Sequence, residues 1–70
     1  MSVARIVEIT STSEKSFEDA IIQGVARASK TLRDIRSAWV KEQEAQVKDG
    51  KIVAYKVNLK ITFVLDDMMG

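Results

Sequence analysis

The sequence predicts an α+β fold, a β-α-β-β unit in which one helix packs on a three-stranded antiparallel sheet. A segment rich in β-branched residues at 3–10 is followed by helical periodicity over about residues 14–31. Two long segments with strand character then flank Asp49 and Gly50. Periodicity of this kind distinguishes helices from strands, and a helix on the apolar face of such a sheet gives a two-layer unit.

The first strand and the helix are indicated by residue type and spacing. Residues 3–10 favour a strand because they are rich in valine, isoleucine and threonine. Hydroxyl side chains at 11–13 suit a helix N-cap, so we expect the strand to end there and the helix to begin near residue 14. Apolar and small residues then recur at spacings of three and four and form one stripe: Phe17, Ala20, Ile21, Gly24, Val25, Ala28 and Leu32.

The second and third strands, at about residues 36–47 and 51–65, are predicted to form a hairpin. Asp-Gly is typical of a type I′ turn, because both central residues of that turn need a positive φ. The turn sets Lys48 opposite Lys51. Counting outward from it gives the further pairs Val40–Leu59, Ala38–Ile61, Trp39–Lys60, Ser37–Thr62 and Gln43–Lys56.

The composition excludes several kinds of function. The 70 residues contain no cysteine and no histidine, which removes disulfides, thiolate metal sites and the commonest general base. A net charge of +1 is not that of a dedicated nucleic-acid binder, and no apolar run approaches the roughly 20 residues of a membrane span. We predict no enzyme, no nucleic-acid partner and no membrane partner. We also expect a cytoplasmic protein, because the N-terminal residues lack a secretory pattern.

The chain is predicted to form a single domain over residues 1–66, with 67–70 as a flexible tail. A domain of this size buries a modest fraction of its surface and usually needs an additional source of stability. Without disulfides, oligomerisation is the remaining source. The open edges of a three-stranded sheet also invite pairing with other chains. The sequence therefore predicts a homo-oligomer.

Length, element order and several segments resemble the dodecin family through about residue 66. The segments that carry the resemblance are residues 12–14, 20–28, 30–33 and 55–65. The resemblance implies a hollow homododecamer in which a strongly curved sheet wraps the helix. It also implies binding without catalysis, since members hold flavins or coenzyme A at subunit interfaces and are thought to store and quench them.

The sequence departs from the flavin-binding members at the positions that meet the ligand. The resemblance places their flavin-stacking tryptophan at Ser37 and a flavin-bonding glutamine at Lys56. Arginines that meet phosphate groups fall at Glu44 and Val64. A hydroxymethyl group cannot replace aromatic stacking, and a glutamate repels phosphate. We therefore expect a degraded flavin site, which puts binding of FMN or riboflavin in doubt.

Residues 34–36, 40–43 and 50–52 are more similar to the branch of the family that lacks the stacking tryptophan. One member of that branch is a calcium-binding dodecin. Calcium takes six to eight oxygen ligands, and this chain has no loop with several acidic residues at alternate positions. The calcium hypothesis therefore needs an interface site, to which symmetry-related copies contribute carboxylates such as Glu42 and Glu44. The turn register places these two carboxylates on the face of Tyr55 and Val57.

The candidate ligand-binding residues are expected on the face of the hairpin away from the core: Ser37, Trp39, Gln43, Lys56 and Lys60. Trp39 is either a relocated platform for a planar ligand or an oligomer contact over the stem of Lys60. We favour the contact, with a cation–π contribution of about 0.5–1 kcal/mol. The lysines at 41, 56 and 60 form a row that either binds an anion or lines a solvated face.

Three hypotheses for function follow. The leading one is a non-catalytic, dodecin-like homododecameric shell with a degraded flavin site, which binds an ion or small ligand between subunits. The first alternative is a store for flavin or coenzyme A that uses Trp39. The second alternative is a purely structural assembly module.

Overall fold

The computed structural model describes residues 3–65 and confirms the predicted α+β fold. Its elements in chain order are β1 (Ala4–Ser13), α1 (Phe17–Ala28), β2 (Ile35–Lys48) and β3 (Lys51–Val64). The strands form one antiparallel sheet in the order β1-β3-β2, so β3 is the central strand. No helix within residues 3–65 is long and apolar enough to cross a membrane. The tail predicted at 67–70 lies outside the described residues.

The helix begins later than the sequence predicts, because β1 continues as far as Ser13, which still pairs with Tyr55 of β3. The N-cap is therefore Ser16, whose side chain accepts a hydrogen bond from the backbone N–H of Asp19 at 2.9 Å. The buried Ser13 donates its hydroxyl to the Asp19 carboxylate at 2.6 Å. That bond holds the pKa of Asp19 below its usual value, and it ties the end of β1 to the first turn of α1.

The helix also ends earlier than predicted, at Ala28 rather than near residue 31. Beyond it, the backbone N–H groups of Lys30 and Thr31 donate to carbonyls three residues earlier, at 3.2 and 3.1 Å. Bonds of that spacing belong to a tighter turn than the α-helix. The chain therefore leaves α1 through a short turn before β2.

The core lies between α1 and one face of β3. Val57, Leu59 and Ile61 of β3 are fully buried against Ala20 of the helix. The partly buried apolar residues around them are Val7, Ile9, Phe17, Ile21, Val25, Leu32, Ile35, Ala38 and Val40. At the helix start, the rings of Phe17 and Tyr55 meet edge to face with centroids 5.0 Å apart. Tyr55 therefore faces the core.

The hairpin turn has the predicted conformation. Asp49 and Gly50 both have positive φ, at 54° and 76°. The observed pairs include Lys48–Lys51, Val40–Leu59, Ala38–Ile61, Trp39–Lys60 and Ser37–Thr62, all as predicted.

The predicted pair Gln43–Lys56 is wrong. The hairpin contains two bulges, and the strand pairs that lie between the two bulges are displaced by one residue. Val53 is an extra residue in β3 and Lys41 is an extra residue in β2, so Gln43 lies opposite Val57 and Lys56 lies opposite Glu44. Bulges bend a strand and increase its twist. The two shifts cancel, which is why the pairs on either side of them agree with the turn.

Gly24 allows α1 to lie close on the sheet. A Cβ atom at this position would lie 3.0 Å from Leu59 Cδ1 and 3.0 Å from Ser11 Cβ. Overpacking of this kind costs about 1–3 kcal/mol, whereas alanine gains roughly 1 kcal/mol over glycine in a helix. We predict that Gly24→Ala lowers the free energy of unfolding by about 1 kcal/mol net, measured by urea unfolding at one protein concentration.

The exposed helix position Ala26 provides the control for Gly24→Ala. Ala26→Gly should cost about 1 kcal/mol from helix propensity alone. A Gly24→Ala variant that is more stable than the wild type would contradict the close-packing account.

Candidate functional site

The outer face of the sheet, which is the face turned away from α1, carries the candidate site. Its β3 residues alternate with the buried ones, and each has a partner on β1 and on β2. Four rows therefore cross the sheet: Thr12–Lys56–Glu44, Thr10–Asn58–Glu42, Glu8–Lys60–Trp39 and Ile6–Thr62–Ser37. This arrangement brings together both predicted carboxylates and four of the five predicted ligand-binding residues.

The structure corrects the placement of Glu42 and Glu44. They lie opposite Asn58 and Lys56, and not on the face of Tyr55 and Val57, because the bulge at Lys41 shifts the register by one residue. A shift of one residue moves a side chain to the other face of a sheet.

The same shift removes Gln43 from the outer face. Gln43 pairs with Val57, which is buried against the helix. Paired residues of neighbouring strands point to the same face, so the predicted placement of Gln43 beside Lys56 is wrong. Gln43 still lines the edge of the cavity described below, from its position in β2 between Glu42 and Glu44.

Glu42 and Glu44 line an open cavity of about 360 Å³, together with Gln43, Lys56 and Asn58. The Thr10 hydroxyl donates to Asn58 Oδ1 at 2.9 Å, and Asn58 Nδ2 donates to Glu42 Oε1 at 3.0 Å. Lys56 Nζ lies 3.9 Å from Glu44 Oε1. The hydrogen bond from Asn58 holds one oxygen of Glu42, whereas Glu44 has only the more distant ammonium of Lys56 beside it.

The cavity offers a single chain too few ligands for a complete calcium site. Among residues 3–65 no cluster of three or more acidic, histidine or cysteine side chains is arranged to hold a metal. Glu42 and Glu44 supply at most four carboxylate oxygens, whereas calcium takes six to eight oxygen ligands. Further ligands would have to come from water or from another chain.

Trp39 lies on the outer face with 68% of its surface exposed. The Lys60 ammonium is 5.5 Å from the centre of its ring, within the range of a cation–π contact. The neighbouring row sets the hydroxyls of Ser37 and Thr62 opposite each other. An exposed ring beside a cation and two hydroxyl groups is suited to a planar ligand or to a protein contact.

The lysine row does not form an open basic surface. Lys41 Nζ reaches across β3 to Glu8 Oε2 at 3.2 Å, Lys56 lies near Glu44, and Lys60 lies over Trp39. Exposed ion pairs such as those of Lys41 and Lys56 contribute only about 0–1 kcal/mol to stability, but they offset two of the three positive charges. The arrangement therefore gives little support to an anion site.

The end of the hairpin carries exposed apolar residues that our sequence interpretation missed. Val47, Ile52 and Val53 are among the exposed large apolar side chains. The relative lengths of the elements could have revealed them, because a helix rises about 1.5 Å per residue and a strand about 3.3 Å. A helix of 12 residues cannot cover strands of 14.

The fold and the outer face are those of a small α+β binding module, and comparison with known proteins identifies its family. The sequence profile described as dodecin matches residues 3–66. This chain belongs to the dodecin family.

Two curated relatives align along most of their length. Calcium dodecin of Mycobacterium tuberculosis is 36% identical over 63 residues, which cover 90% of this chain and 89% of that protein. Dodecin of Thermus thermophilus is 37% identical over 65 residues, covering 93% of this chain and 94% of that protein.

Solved structures agree with the fold. Dodecin from Streptomyces davaonensis superposes with a TM-score of 0.88 at 35% identity, covering 94% of this chain and 97% of that one. The calcium-chelating calcium dodecin of M. tuberculosis, described with a novel calcium-binding site, gives a TM-score of 0.80 at 33% identity and covers 94% of both chains.

Proposed function

We propose that this dodecin is a non-catalytic binding protein that works as a cytoplasmic homododecamer, with a single domain at residues 1–66 of each subunit. Its ligand is a divalent cation, calcium foremost, bound on the outer face where subunits meet. The observation that carries the proposal is the pair Glu42 and Glu44 at the open cavity. Within residues 3–65, the second oxygen of each carboxylate accepts no hydrogen bond and is available to a ligand.

The similarity to calcium dodecin supports a cation as the ligand. That relative is named for calcium and is 36% identical to this chain over 63 residues. The carboxylates here come from β2, and Glu42 is held by a hydrogen bond from Asn58 of β3. A site that lacks some of its ligands in one chain is completed most directly by carboxylates or carbonyls of a second copy.

The shape of the chain supports assembly. Its radius of gyration is 14.5 Å, against about 11 Å for a compact domain of this length. Exposed apolar side chains occur on the outer face, at the hairpin end and on the helix. An elongated chain of this size without disulfides gains most of its missing burial from other copies.

The outer face also supports loss of the flavin site. Ser37 lies opposite Thr62, so two small hydroxyl side chains occupy the row in which the resemblance places a stacking tryptophan. Lys56, at the position of the flavin-bonding glutamine, lies within 4 Å of Glu44. Ser37 provides no flat apolar surface for stacking, and the Lys56 ammonium, unlike a glutamine amide, cannot accept a hydrogen bond.

Calorimetric titration with calcium chloride tests the cation site. We expect the wild-type assembly to bind calcium and Glu42→Gln to weaken binding at least about tenfold, which corresponds to roughly 1.4 kcal/mol, because the variant loses a charged ligand. The same loss is expected for Glu44→Gln.

Glu8→Gln is the matched control for this titration. Glu8 is a carboxylate on the same face, but it bonds Lys41 and lies outside the cavity, so its removal should leave calcium affinity unchanged. The weakest natural calcium modules have dissociation constants of up to about 1 mM. Absence of binding up to about 10 mM calcium, about ten times that value, would therefore contradict the proposal.

A second candidate function is storage of flavin or coenzyme A on Trp39. The observation that favours it is the exposed ring beside Lys60. This function requires FMN fluorescence to be quenched at tens of micromolar protein. Trp39→Ala should weaken binding by about tenfold to a hundredfold, since loss of a stacking ring costs about 1–3 kcal/mol per base-like ring.

Trp39→Phe provides the control for the flavin titration, because it keeps a ring and should retain part of the quenching. No quenching by the wild type would eliminate the Trp39 store. An assembled protein that binds neither calcium nor FMN would instead support the third hypothesis, a purely structural assembly module.

A further inference from the structure

The two carboxylates of the cavity have different kinds of partner. Glu42 accepts a hydrogen bond from the neutral side-chain amide of Asn58 at 3.0 Å. Glu44 instead faces the Lys56 ammonium, with 3.9 Å between Nζ and Oε1. A neutral amide can stay on one oxygen of a carboxylate while a cation binds the other oxygen, whereas a positive charge beside the carboxylate repels an entering cation.

Lys56 also decides the net charge of the cavity. The lining that residues 3–65 provide consists of Glu42, Gln43, Glu44, Lys56 and Asn58, so Lys56 contributes its one basic side chain. Two carboxylates and one ammonium give the lining a formal charge of −1 in place of −2. The lysine therefore removes half of the negative charge that attracts a divalent cation.

The sheet keeps Lys56 at the cavity. It lies on the central strand β3, directly opposite Glu44 of β2 and Thr12 of β1. Its side chain is 34% exposed, against 62% for that of Glu44. The four-carbon stem of a lysine is flexible, so the ammonium can turn towards solvent when a cation takes its place. The strand register thus places the charge at the cavity, and the stem allows its displacement.

We propose that Lys56 is the internal counter-ion of the cavity and lowers its affinity for divalent cations. This inference rests on the proposed cation site and names the residue that sets its strength. A cation reaches Glu44 only by displacing the ammonium or by binding against its repulsion. Any change that neutralises the lysine, by substitution or by acetylation, removes this competition.

The other lysines of the lysine row do not compete in this way. Lys41 is bonded to Glu8, and within residues 3–65 it is not part of the cavity lining. Lys60 lies over the ring of Trp39. Its Cα atom is four residues from that of Lys56 along β3, which is about 13 Å, and the Debye length at physiological ionic strength is about 8 Å.

A purely structural ion pair would behave differently. Exposed pairs contribute little to stability, and a lysine that only positioned Glu44 would help the carboxylate to bind a cation. Its removal would then leave calcium affinity unchanged or reduce it. Removal of a competing counter-ion increases the affinity, so the direction of the change distinguishes the two roles.

Calorimetric titration with calcium chloride, in about 0.15 M potassium chloride, compares the wild type with Lys56→Met. We expect the neutral variant to bind calcium about tenfold more tightly, which corresponds to about 1.4 kcal/mol. Lys56→Gln is also neutral and should change the affinity in the same direction. Lys56→Arg keeps the charge and should bind no more tightly than the wild type.

Lys60→Met is the matched control, because it removes a lysine from the same strand and the same face without changing the cavity lining. It should leave calcium affinity unchanged. Light scattering on each variant checks that it folds and assembles as the wild type does. An equal gain in affinity for Lys56→Arg or Lys60→Met would overturn the counter-ion role.

The remaining outcomes separate this inference from the cation site on which it rests. Binding by the wild type, with Lys56→Met and Lys56→Gln no tighter, would overturn the role of Lys56 and leave the cation site standing. No binding by any of the proteins would overturn both. Binding by the neutral variants but not by the wild type would contradict calcium as the ligand of the native chain and support Lys56 as the residue that excludes it.

Discussion

The 12-residue helix can cover only about five or six residues of each hairpin strand, because a helix rises less than half as much per residue as a strand. Burial is complete where α1 lies on the sheet, at Val57, Leu59 and Ile61. Beyond Tyr55 the hairpin continues without a second layer. The exposed apolar residues at the end of the hairpin and the elongated shape both follow from this difference in length.

The pair of bulges in the hairpin determines which residues the outer face carries. Between Lys41 and Val53 the register is displaced by one residue, which places Glu42 and Glu44 on the outer face beside Asn58 and Lys56. Without the displacement, both carboxylates would lie on the side of the sheet that α1 occupies. The local irregularity therefore creates the only pair of neighbouring carboxylates that the outer face presents within residues 3–65, and the proposed cation site depends on it.

Much of the fold was predictable from the sequence, and the errors have physical causes. Asp49 and Gly50 predicted the turn because few residues tolerate positive φ, and the resemblance predicted the family. The start of α1 was missed because the hydroxyls at 11–13 suit both a cap and a strand. The placements of Gln43, Glu42 and Glu44 were wrong because a bulge depends on the sheet as a whole, and alternation in one strand carries no sign of it.

The central claim is that this short chain completes its burial by assembling with copies of itself. Light scattering coupled to size-exclusion chromatography measures this most directly, at micromolar concentration and near-physiological salt. The account predicts a single species of about 94 kDa, twelve times the chain mass of 7.8 kDa. A folded species that remains at 7.8 kDa across the accessible concentrations would contradict it.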